Sequence, residues 1–354
     1  MGDVSNELIR VAERLFADEV NPTVLREAEA GQWPDSLWTA VAAAGLTSAL
    51  LREDAGGLGV TVSEAMSLLR VAAAHAAPIP LAETMLAGWL LARAGIKVPE
   101  GLPLGIAPVR RDDRLEIAAT SGGWRLVGKA SRIPWARNAA ALAILAEGPQ
   151  GMHVALLPAG VFGIKPASNL AGEPRDTIDV DTTLGADAVA PAPSGFGPDQ
   201  LRAAGAILRA NQIAGALERA LALTVDYAQT RVQFGRPIGK FQAIQQNLAV
   251  FTGQTAAAIA VAEMAAEAFD AGFNPVVVGA AKARAGEAAN IAAAFAHQTH
   301  GAIGFTQEYG LHPLTRRLWS WRDEFGNEAE WQRCVGQAAF AAGAEGIWPM
   351  ITAA

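Results

Sequence analysis

One cysteine, Cys334, is present in the 354 residues of this chain. A lone cysteine excludes an intrachain disulfide and a cysteine-based metal cluster, so the chain lacks the usual marks of a disulfide-rich secreted protein. Residues 1–20 carry charges throughout and place their apolar side chains at helical spacing, which differs from the uninterrupted apolar core of a signal peptide. We therefore expect a cytoplasmic protein.

Basic residues are in the minority, because 28 Lys and Arg stand against 35 Asp and Glu, for a formal net charge of −7. This balance argues against nucleic acid as an obligatory partner. Hydrophobic residues make up 51% of the chain and charged residues 18%, which suffices for a large core and argues against disorder. The alanine-rich stretches from Ile207 and from Ala256 are interrupted by Arg, Glu or Asp, so we predict bundle helices and no membrane span.

Motifs for metals and dinucleotides are also missing. The five histidines form no HExxH or other pair at metal-ligand spacing, so no metal is predicted. The GGLG sequence at Gly56–Gly59 follows a helical pattern and lacks the later acidic residue of a dinucleotide loop. His300 is a lone histidine beside a glycine, and we interpret it as structural.

The hydrophobic pattern divides the chain into three predicted domains. Residues 1–98 show helical spacing, residues 99–196 shorten to apolar runs between Gly, Asp and Pro turns, and residues 197–354 return to long helical patterns. The runs predicted as strands are Leu115–Ala118, Trp124–Val127, Ala139–Ala146 and Val154–Leu157. Asn274 before Pro275 is typical of a helix N-cap followed by proline at the first helical position. The pattern predicts an α+β fold.

Residues 231–245, RVQFGRPIGKFQAIQ, join two long helical patterns through a turn rich in glycine and proline. Arg231 lies just before this turn, where its guanidinium offers a fixed fork of donors suited to a pyrophosphate. Gln242 and Gln245 lie in the first turn of the next helix, from which their amides can hydrogen-bond a cofactor. Arg and Gln are also common at helix ends, so an ordinary helix connection remains an alternative.

The same segment resembles the flavin-binding signature of the acyl-CoA dehydrogenase family. In that family an Arg–x–x–Phe–Gly element, represented here by Arg231, Phe234 and Gly235, reaches across a subunit interface to the FAD of a neighbour. The resemblance implies FAD as the cofactor, with Gln242 and Gln245 beside it. It also implies an oligomer, because one chain completes the cofactor site of another.

Further segments agree with the family in order and spacing. Residues Gln298–Tyr309 resemble its Gln–x–x–Gly–Gly–x–Gly–Phe element, in which glycines let the backbone approach the cofactor. Here Gly301 and Gly304 flank Ala302, which replaces the middle glycine. Two N-terminal matches are Glu53–Val60 and Pro78–Ala87. The resemblance implies an N-terminal helical domain, a central β-barrel or sandwich domain and a C-terminal four-helix bundle.

The chemistry of this family needs a carboxylate base, which takes the proton alpha to a thioester while the flavin accepts a hydride from the beta carbon. An ungapped count from the glycine-rich element places Phe325 where most members carry that glutamate, and a second family position falls near Gly205. Glu324 is our first candidate base and Asp323 the second. A solvated role also fits this charged stretch.

The central domain departs from the family as well. Gly128–Ala139 and Asn169–Asp176 stand where typical members carry the elements that cover the flavin ring. These variants resemble the short bacterial chains of steroid or other bulky-acyl degradation, which often form heterotetramers with the base on one kind of chain. The resemblance implies an acyl-CoA substrate, whose acyl group stays open, and an electron-transfer flavoprotein or similar acceptor.

Three functions follow from the resemblance. The first expectation is that the chain acts as an FAD-dependent acyl-CoA dehydrogenase, in a homo-oligomer or a heterotetramer with a homologous chain. Alternatively, it is a subunit without a base that completes a partner's FAD site. The third function is a flavin-dependent oxidase or monooxygenase on the same fold.

Overall fold

Helices occupy both ends of the chain and strands its middle, in a computed structural model that describes residues 3–352. This arrangement confirms the predicted α+β fold class. The first helices are α1 Asp3–Glu19, α2 Pro22–Glu29, α3 Asp35–Ala43, α4 Val62–Ala74 and α5 Leu81–Arg93.

A capping box starts α4. The main-chain N–H of Thr61 donates to Glu64 Oε2 at 2.8 Å, and the N–H of Glu64 donates to Thr61 Oγ1 at 3.3 Å. The preceding loop contains the GGLG sequence, and a Cβ on Gly57 would lie 1.8 Å from the carbonyl oxygen of Leu51. Glycine at this position therefore permits the close packing of the loop.

Eight strands form a mixed sheet in the order β6-β7-β3-β2-β4-β5-β8, and β1 pairs in parallel with β4. The strands are β1 Leu104–Ala107, β2 Arg114–Thr120, β3 Gly123–Pro134, β4 Ala141–Gly148, β5 Gly151–Pro158, β6 Gly163–Lys165, β7 Arg175–Leu184 and β8 Val189–Pro191. Three of the four predicted apolar runs lie within β2, β3 and β5, and the fourth, Ala139–Ala146, begins two residues before β4. Their buried members, such as Leu115, Leu126, Ile144 and Leu157, form the core on this sheet.

The chain divides into two compact units. One contains Glu27–Ala65 and Pro78–Gly205, and therefore the sheet. The other contains Asn6–Arg26, Met66–Ala77 and the chain from Ala206 onwards. The finer division into domains 1–98, 99–196 and 197–354 stays a prediction.

Long helices dominate the second unit. They are α6 Pro198–Thr230, α7 Gln242–Asp270, α8 Pro275–His300, α9 His312–Trp321 and α10 Glu328–Thr352. The predicted N-cap is confirmed, because Asn274 Oδ1 accepts the N–H of Val276 at 2.9 Å. A Cβ on Gly215 of α6 would lie 2.1 Å from the carbonyl oxygen of Arg70, so this glycine lets α4 and α6 approach closely.

Helix α7 has two apolar sides. Phe251, Ala258 and Phe269 are buried in the bundle, whereas Val250 and Met264 are 45% and 42% exposed. By length and composition the helix is apolar enough to cross a membrane, a property that buried core helices of soluble proteins share. Only 28% of its most apolar 18-residue window is buried within this chain. A broad apolar face of α7 is thus left uncovered.

Candidate functional site

A short hairpin joins α6 to α7. Its strands, β9 Val232–Gln233 and β10 Arg236–Pro237, pair antiparallel. The N–H of Ile238 donates to the carbonyl oxygen of Arg231 at 2.8 Å and closes the hairpin. Phe234, with φ of 51°, and Gly235, with φ of 77°, adopt left-handed conformations at its tip. The predicted turn is therefore a β-hairpin whose tip projects Phe234, 92% exposed, into solvent.

The predicted cofactor donors lie at the surface. The side chains of Arg231, Gln242 and Gln298 are exposed, and within residues 3–352 none of them makes a side-chain hydrogen bond. Gln245 differs, because its Nε2 donates to the carbonyl oxygen of Gly239 at 3.0 Å. A guanidinium and two amides without protein partners suit the phosphate and polar edges of a nucleotide cofactor. These residues therefore fit FAD.

An aromatic stack joins the ends of α6 and α8. The rings of Tyr227 and His300 lie 4.6 Å apart between centroids, with 23° between their planes. Tyr309 packs edge-on against Tyr227 at 6.0 Å and tilted against His300 at 4.9 Å. Because Arg231 follows Tyr227 by one helical turn, the stack brings the hairpin to the glycine-rich segment. The structure thus joins the two segments that the family resemblance had singled out.

The glycine-rich segment forms a 3₁₀ turn over Gly301–Phe305. Gly301 has φ of 64° and ends α8, and both Gly301 and Ala302 are exposed. Gly304 is buried, and a Cβ on it would lie 3.0 Å from His300 Cβ. The exposed members of the turn are thus placed to meet a ligand, whereas Gly304 lets the turn fold back onto α8.

His297 is a buried residue of this region that the sequence reasoning missed. Its ring lies between Phe305, at 4.1 Å, and Trp319, at 5.6 Å, in stacked geometry. His297 Nε2 lies 2.8 Å from Thr315 Oγ1. Burial lowers the pKa of His297, and nearby His300 lowers it further. The ring is therefore neutral at neutral pH.

The candidate bases lie in a turn between α9 and α10. Arg209 of α6 is 1% exposed, and its Nε lies 2.8 Å from Glu324 Oε2. The same guanidinium lies 5.5 Å over the ring of Phe325. Phe325 is buried and has φ of 54°, while Asp323 is exposed. Glu324 is therefore held in an ion pair beside the buried Phe325.

Lys282 of α8 holds the same turn from a second side. Its Nζ donates to the carbonyl oxygens of Arg322 at 2.6 Å and Gly326 at 2.8 Å. Burial lowers the pKa of Lys282 to about 7, against the opposing effect of the carboxylates of Glu328, Glu324 and Asp323. The only sequence signal for this role is a lysine within an alanine-rich helix, which a solvated position would also explain.

The two groups of candidate residues lie far apart along the long helices. Arg209 precedes Tyr227 on α6, and Lys282 precedes His300 on α8, by eighteen residues in each case. At 1.5 Å per residue this separates the turn from the aromatic stack by about 27 Å. The structure therefore does not bring Asp323 and Glu324 together with the candidate cofactor donors of this chain.

In the first unit, the segments Gly128–Ala139 and Asn169–Asp176, which stand in place of the family's flavin-covering elements, are hydrogen-bonded to each other. The buried carboxylate of Asp176 accepts hydrogen bonds from the N–H of Arg137 at 2.9 Å and from the N–H of Ala167 at 3.1 Å. The N–H of Trp135 donates to the carbonyl oxygen of Pro174 at 3.1 Å. Arg132 and Trp135 both have φ of 57°, next to a shift in the β3–β7 pairing.

Comparison with known proteins places both helical parts in one family. Residues 3–97 match the model of the acyl-CoA dehydrogenase N-terminal domain, and residues 203–328 match that of the C-terminal domain. Acyl-CoA dehydrogenase IpdE2 of Mycobacterium tuberculosis is 46% identical over 114 residues. That match covers 32% of this chain and about a third, 34%, of the relative.

Solved structures share the fold over nearly the whole chain. The ChsE4–ChsE5 complex from Mycobacterium tuberculosis has a TM-score of 0.87 at 23% identity and covers 96% of this chain and 98% of the matched one. The Tcur3481–Tcur3483 steroid acyl-CoA dehydrogenase has a TM-score of 0.86 at 25% identity and covers 97% and 99%. The predicted fold is thereby confirmed, and the chain belongs to the acyl-CoA dehydrogenase family.

Proposed function

We propose that this chain is a subunit of an FAD-dependent acyl-CoA dehydrogenase, which removes hydrogen from the alpha and beta carbons of an acyl-CoA thioester. Family membership and the donor set support this proposal. Arg231, Gln242 and Gln298 would hold the cofactor, because their side chains are exposed and have no hydrogen-bond partner in residues 3–352. Bound FAD would supply the hydride acceptor.

The turn between α9 and α10 carries the finer proposal that a partner chain supplies the base. A general base must reach the substrate proton with an accessible carboxylate. Phe325 stands at the family position of that base and is buried. Glu324 beside it is engaged by Arg209 at 2.8 Å. These contacts favour a structural role for the turn in this chain.

Two observations support assembly with a homologous chain. The exposed face of α7 is apolar, and its burial against another subunit would remove Val250 and Met264 from water. The donors around Arg231 lie about 27 Å from the turn between α9 and α10, which is too far for both to serve one centre within this chain. They therefore suit the cofactor site of a neighbour. The ChsE4–ChsE5 complex has two kinds of chain, as this proposal requires.

The remaining partners follow from the proposed reaction. Reduced FAD needs an acceptor, for which we propose an electron-transfer flavoprotein or a similar protein in the cytoplasm. A branched, cyclic or steroid-derived acyl group is the proposed substrate class. The steroid acyl-CoA dehydrogenase among the structural neighbours supports the steroid option.

The test is a comparison of the chain alone with the chain co-expressed with its homologous genomic neighbour. We expect visible flavin absorption in the co-expressed complex. This absorption should bleach under anaerobic titration with acyl-CoA thioesters, and bleaching should require the partner. The panel contains steroid-derived, cyclic and straight-chain thioesters. Bleaching by the chain alone would reject the partner-supplied base, and absence of flavin from both preparations would reject the cofactor.

A second experiment on the same preparations distinguishes dehydrogenase activity from oxidase or monooxygenase activity. The same substrates are supplied in air without an added acceptor, and oxygen consumption is recorded. We expect no substrate-coupled oxygen uptake beyond slow reoxidation of the flavin. Stoichiometric uptake with turnover would favour the oxygen-using alternative instead.

A further inference from the structure

His300 connects the two segments around the proposed cofactor. It is the last residue of α8 and is 4% exposed. One side of its ring stacks on Tyr227, which lies one helical turn before Arg231 and accepts the N–H of that residue at 2.8 Å. Arg231, the residue just before the hairpin, is therefore hydrogen-bonded to a residue whose side chain is packed against His300.

The glycine-rich turn is packed against the same histidine. Gly304 lies so close that a Cβ would be 3.0 Å from His300 Cβ. Beyond the turn, the N–H of Thr306 donates to the carbonyl oxygen of Ile303 at 3.1 Å. The hydroxyl of Tyr309 then contacts the ring of His300. The chain from Gly301 to Tyr309 thus loops away from His300 and comes back to it.

Hydrogen bonds define the protonation state of this arrangement. His300 Nδ1 lies 2.8 Å from the carbonyl oxygen of Ala296, so Nδ1 carries a proton and donates it. In the neutral ring, Nε2 then accepts from the hydroxyl of Tyr309 at 3.2 Å. A second proton on Nε2 would reverse this bond and turn the hydroxyl towards the carbonyl oxygen of Leu223, 3.4 Å away.

We propose that His300 is a positioning residue for the cofactor, which holds the Arg231 hairpin and the Gly301–Phe305 turn at the spacing that FAD requires. This inference rests on the proposed use of FAD. His300 acts through Tyr227 on one segment and through Tyr309 and Gly304 on the other. It acts on the position of the donors and takes no part in proton abstraction.

The surroundings disfavour a charged ring. Burial lowers the pKa of His300, and its hydrogen bonds to main-chain carbonyls oppose this effect. The other titratable groups near the stack are Arg219, Asp226 and Tyr227 of α6, His297 of α8, and Tyr309 and His312 beyond it. FAD affinity should therefore weaken as the pH falls below the ordinary histidine pKa of about 6.5.

Two variants separate the contacts of His300. His300→Phe keeps an aromatic ring and removes both ring hydrogen bonds, while Tyr309→Phe removes only the hydroxyl. His75→Phe is the matched control, because His75 also stacks on an aromatic ring, that of Phe16, and also has a pKa lowered by burial. Each full-length variant, purified as a complex with the co-expressed homologous partner, is titrated with FAD at pH values from about 5 to about 8, around the histidine pKa.

We expect FAD to bind about tenfold more weakly to His300→Phe and Tyr309→Phe at neutral pH, and not to His75→Phe. We also expect the fall in affinity at acid pH to disappear in His300→Phe, which a merely structural role would not produce. Should His300→Phe fail to fold, Tyr309→Phe alone still decides the question. Unchanged affinity with an unchanged pH profile in the variants would overturn the proposal.

Amide hydrogen exchange, measured in the absence of FAD, tests the coupling by His300 independently of the cofactor assignment. The amides of Ile238 and Thr306 report on the hairpin and on the turn. We expect both to exchange about tenfold faster in the two variants than in wild type. Faster exchange in a protein that binds no FAD would leave the coupling intact and reject the cofactor, whereas unchanged exchange would overturn the coupling by His300.

Discussion

Arg209 and Glu324 form an ion pair at 2.8 Å between α6 and the turn after α9, and their side chains are 2% and 16% exposed. Arg209 is also packed over Phe325. Such a pair resists separation, because a guanidinium in this position loses most of its hydration. The carboxylate of Glu324, next to Phe325 in the turn, is thus held by this ion pair.

Replacement of Glu324 by alanine should lower the free energy of unfolding by about 2 to 4 kcal/mol, because it removes the carboxylate that pairs with a buried guanidinium. Urea unfolding measures this change. Asp181→Ala is the control, since Asp181 pairs with Arg125 at the surface, and we expect no measurable loss there. Turnover of the co-expressed complex should remain within about twofold, and loss of turnover in a folded complex would identify Glu324 as the base.

Lys282 should make stability depend on pH. Its pKa is lowered from 10.5 to about 7 in the folded chain, so the unfolded chain binds more protons between these values. The free energy of unfolding therefore rises with pH from about 7 towards about 10. Lys282→Met should remove this part of the rise, and urea unfolding at a series of pH values measures it. The same slope in Lys282→Met and wild type would exclude Lys282 as its source.

Arg231→Lys should weaken FAD binding about tenfold, because lysine keeps the charge and loses the bidentate fork. The melting temperature should not change, since the Arg231 side chain is exposed. Flavin fluorescence measures the affinity. Arg284→Lys, at a half-buried position on α8, provides the control substitution, and an equal loss in both variants would contradict a specific role of Arg231.

Val250→Arg should break the proposed assembly, because it places a charge in the apolar face of α7. Light scattering should then report a smaller species than wild type. Val11→Arg on α1 is a suitable control, since Val11 is 44% exposed and Val250 is 45% exposed. A wild-type protein that is already monomeric when loaded with flavin would contradict the assembly itself.

Local patterns in the sequence predicted much of the fold. Short apolar runs between turns, such as Val154–Leu157, located the strands, and Asn274 before Pro275 marked the start of α8. These features depend on neighbouring residues, so a single sequence carries them. The exposed position of Asp323 also agrees with the solvated role considered for that charged stretch.

Long-range contacts explain what the sequence did not predict. Arg209 and Glu324 are far apart in the chain, and no periodic pattern connects them. Lys282 donates to main-chain carbonyl oxygens, and because every residue has one, the sequence does not reveal these partners. His300 was interpreted as structural because it is a lone histidine beside a glycine, and its partner Tyr227 lies on another helix. The left-handed conformation of Phe325 is likewise a tertiary effect, since phenylalanine does not favour it.

The spacing of about 27 Å along α6 and α8 has a genetic consequence. If the Arg231 end of one subunit completes a centre whose base lies on the homologous partner, a substitution at Arg231 and a substitution of that base damage the same centre from two different chains. Two inactive assemblies, one with Arg231 altered and one with the partner's base altered, can then be mixed to form assemblies in which some centres receive two intact halves. Partial recovery of activity on mixing would show that the centre is shared between subunits.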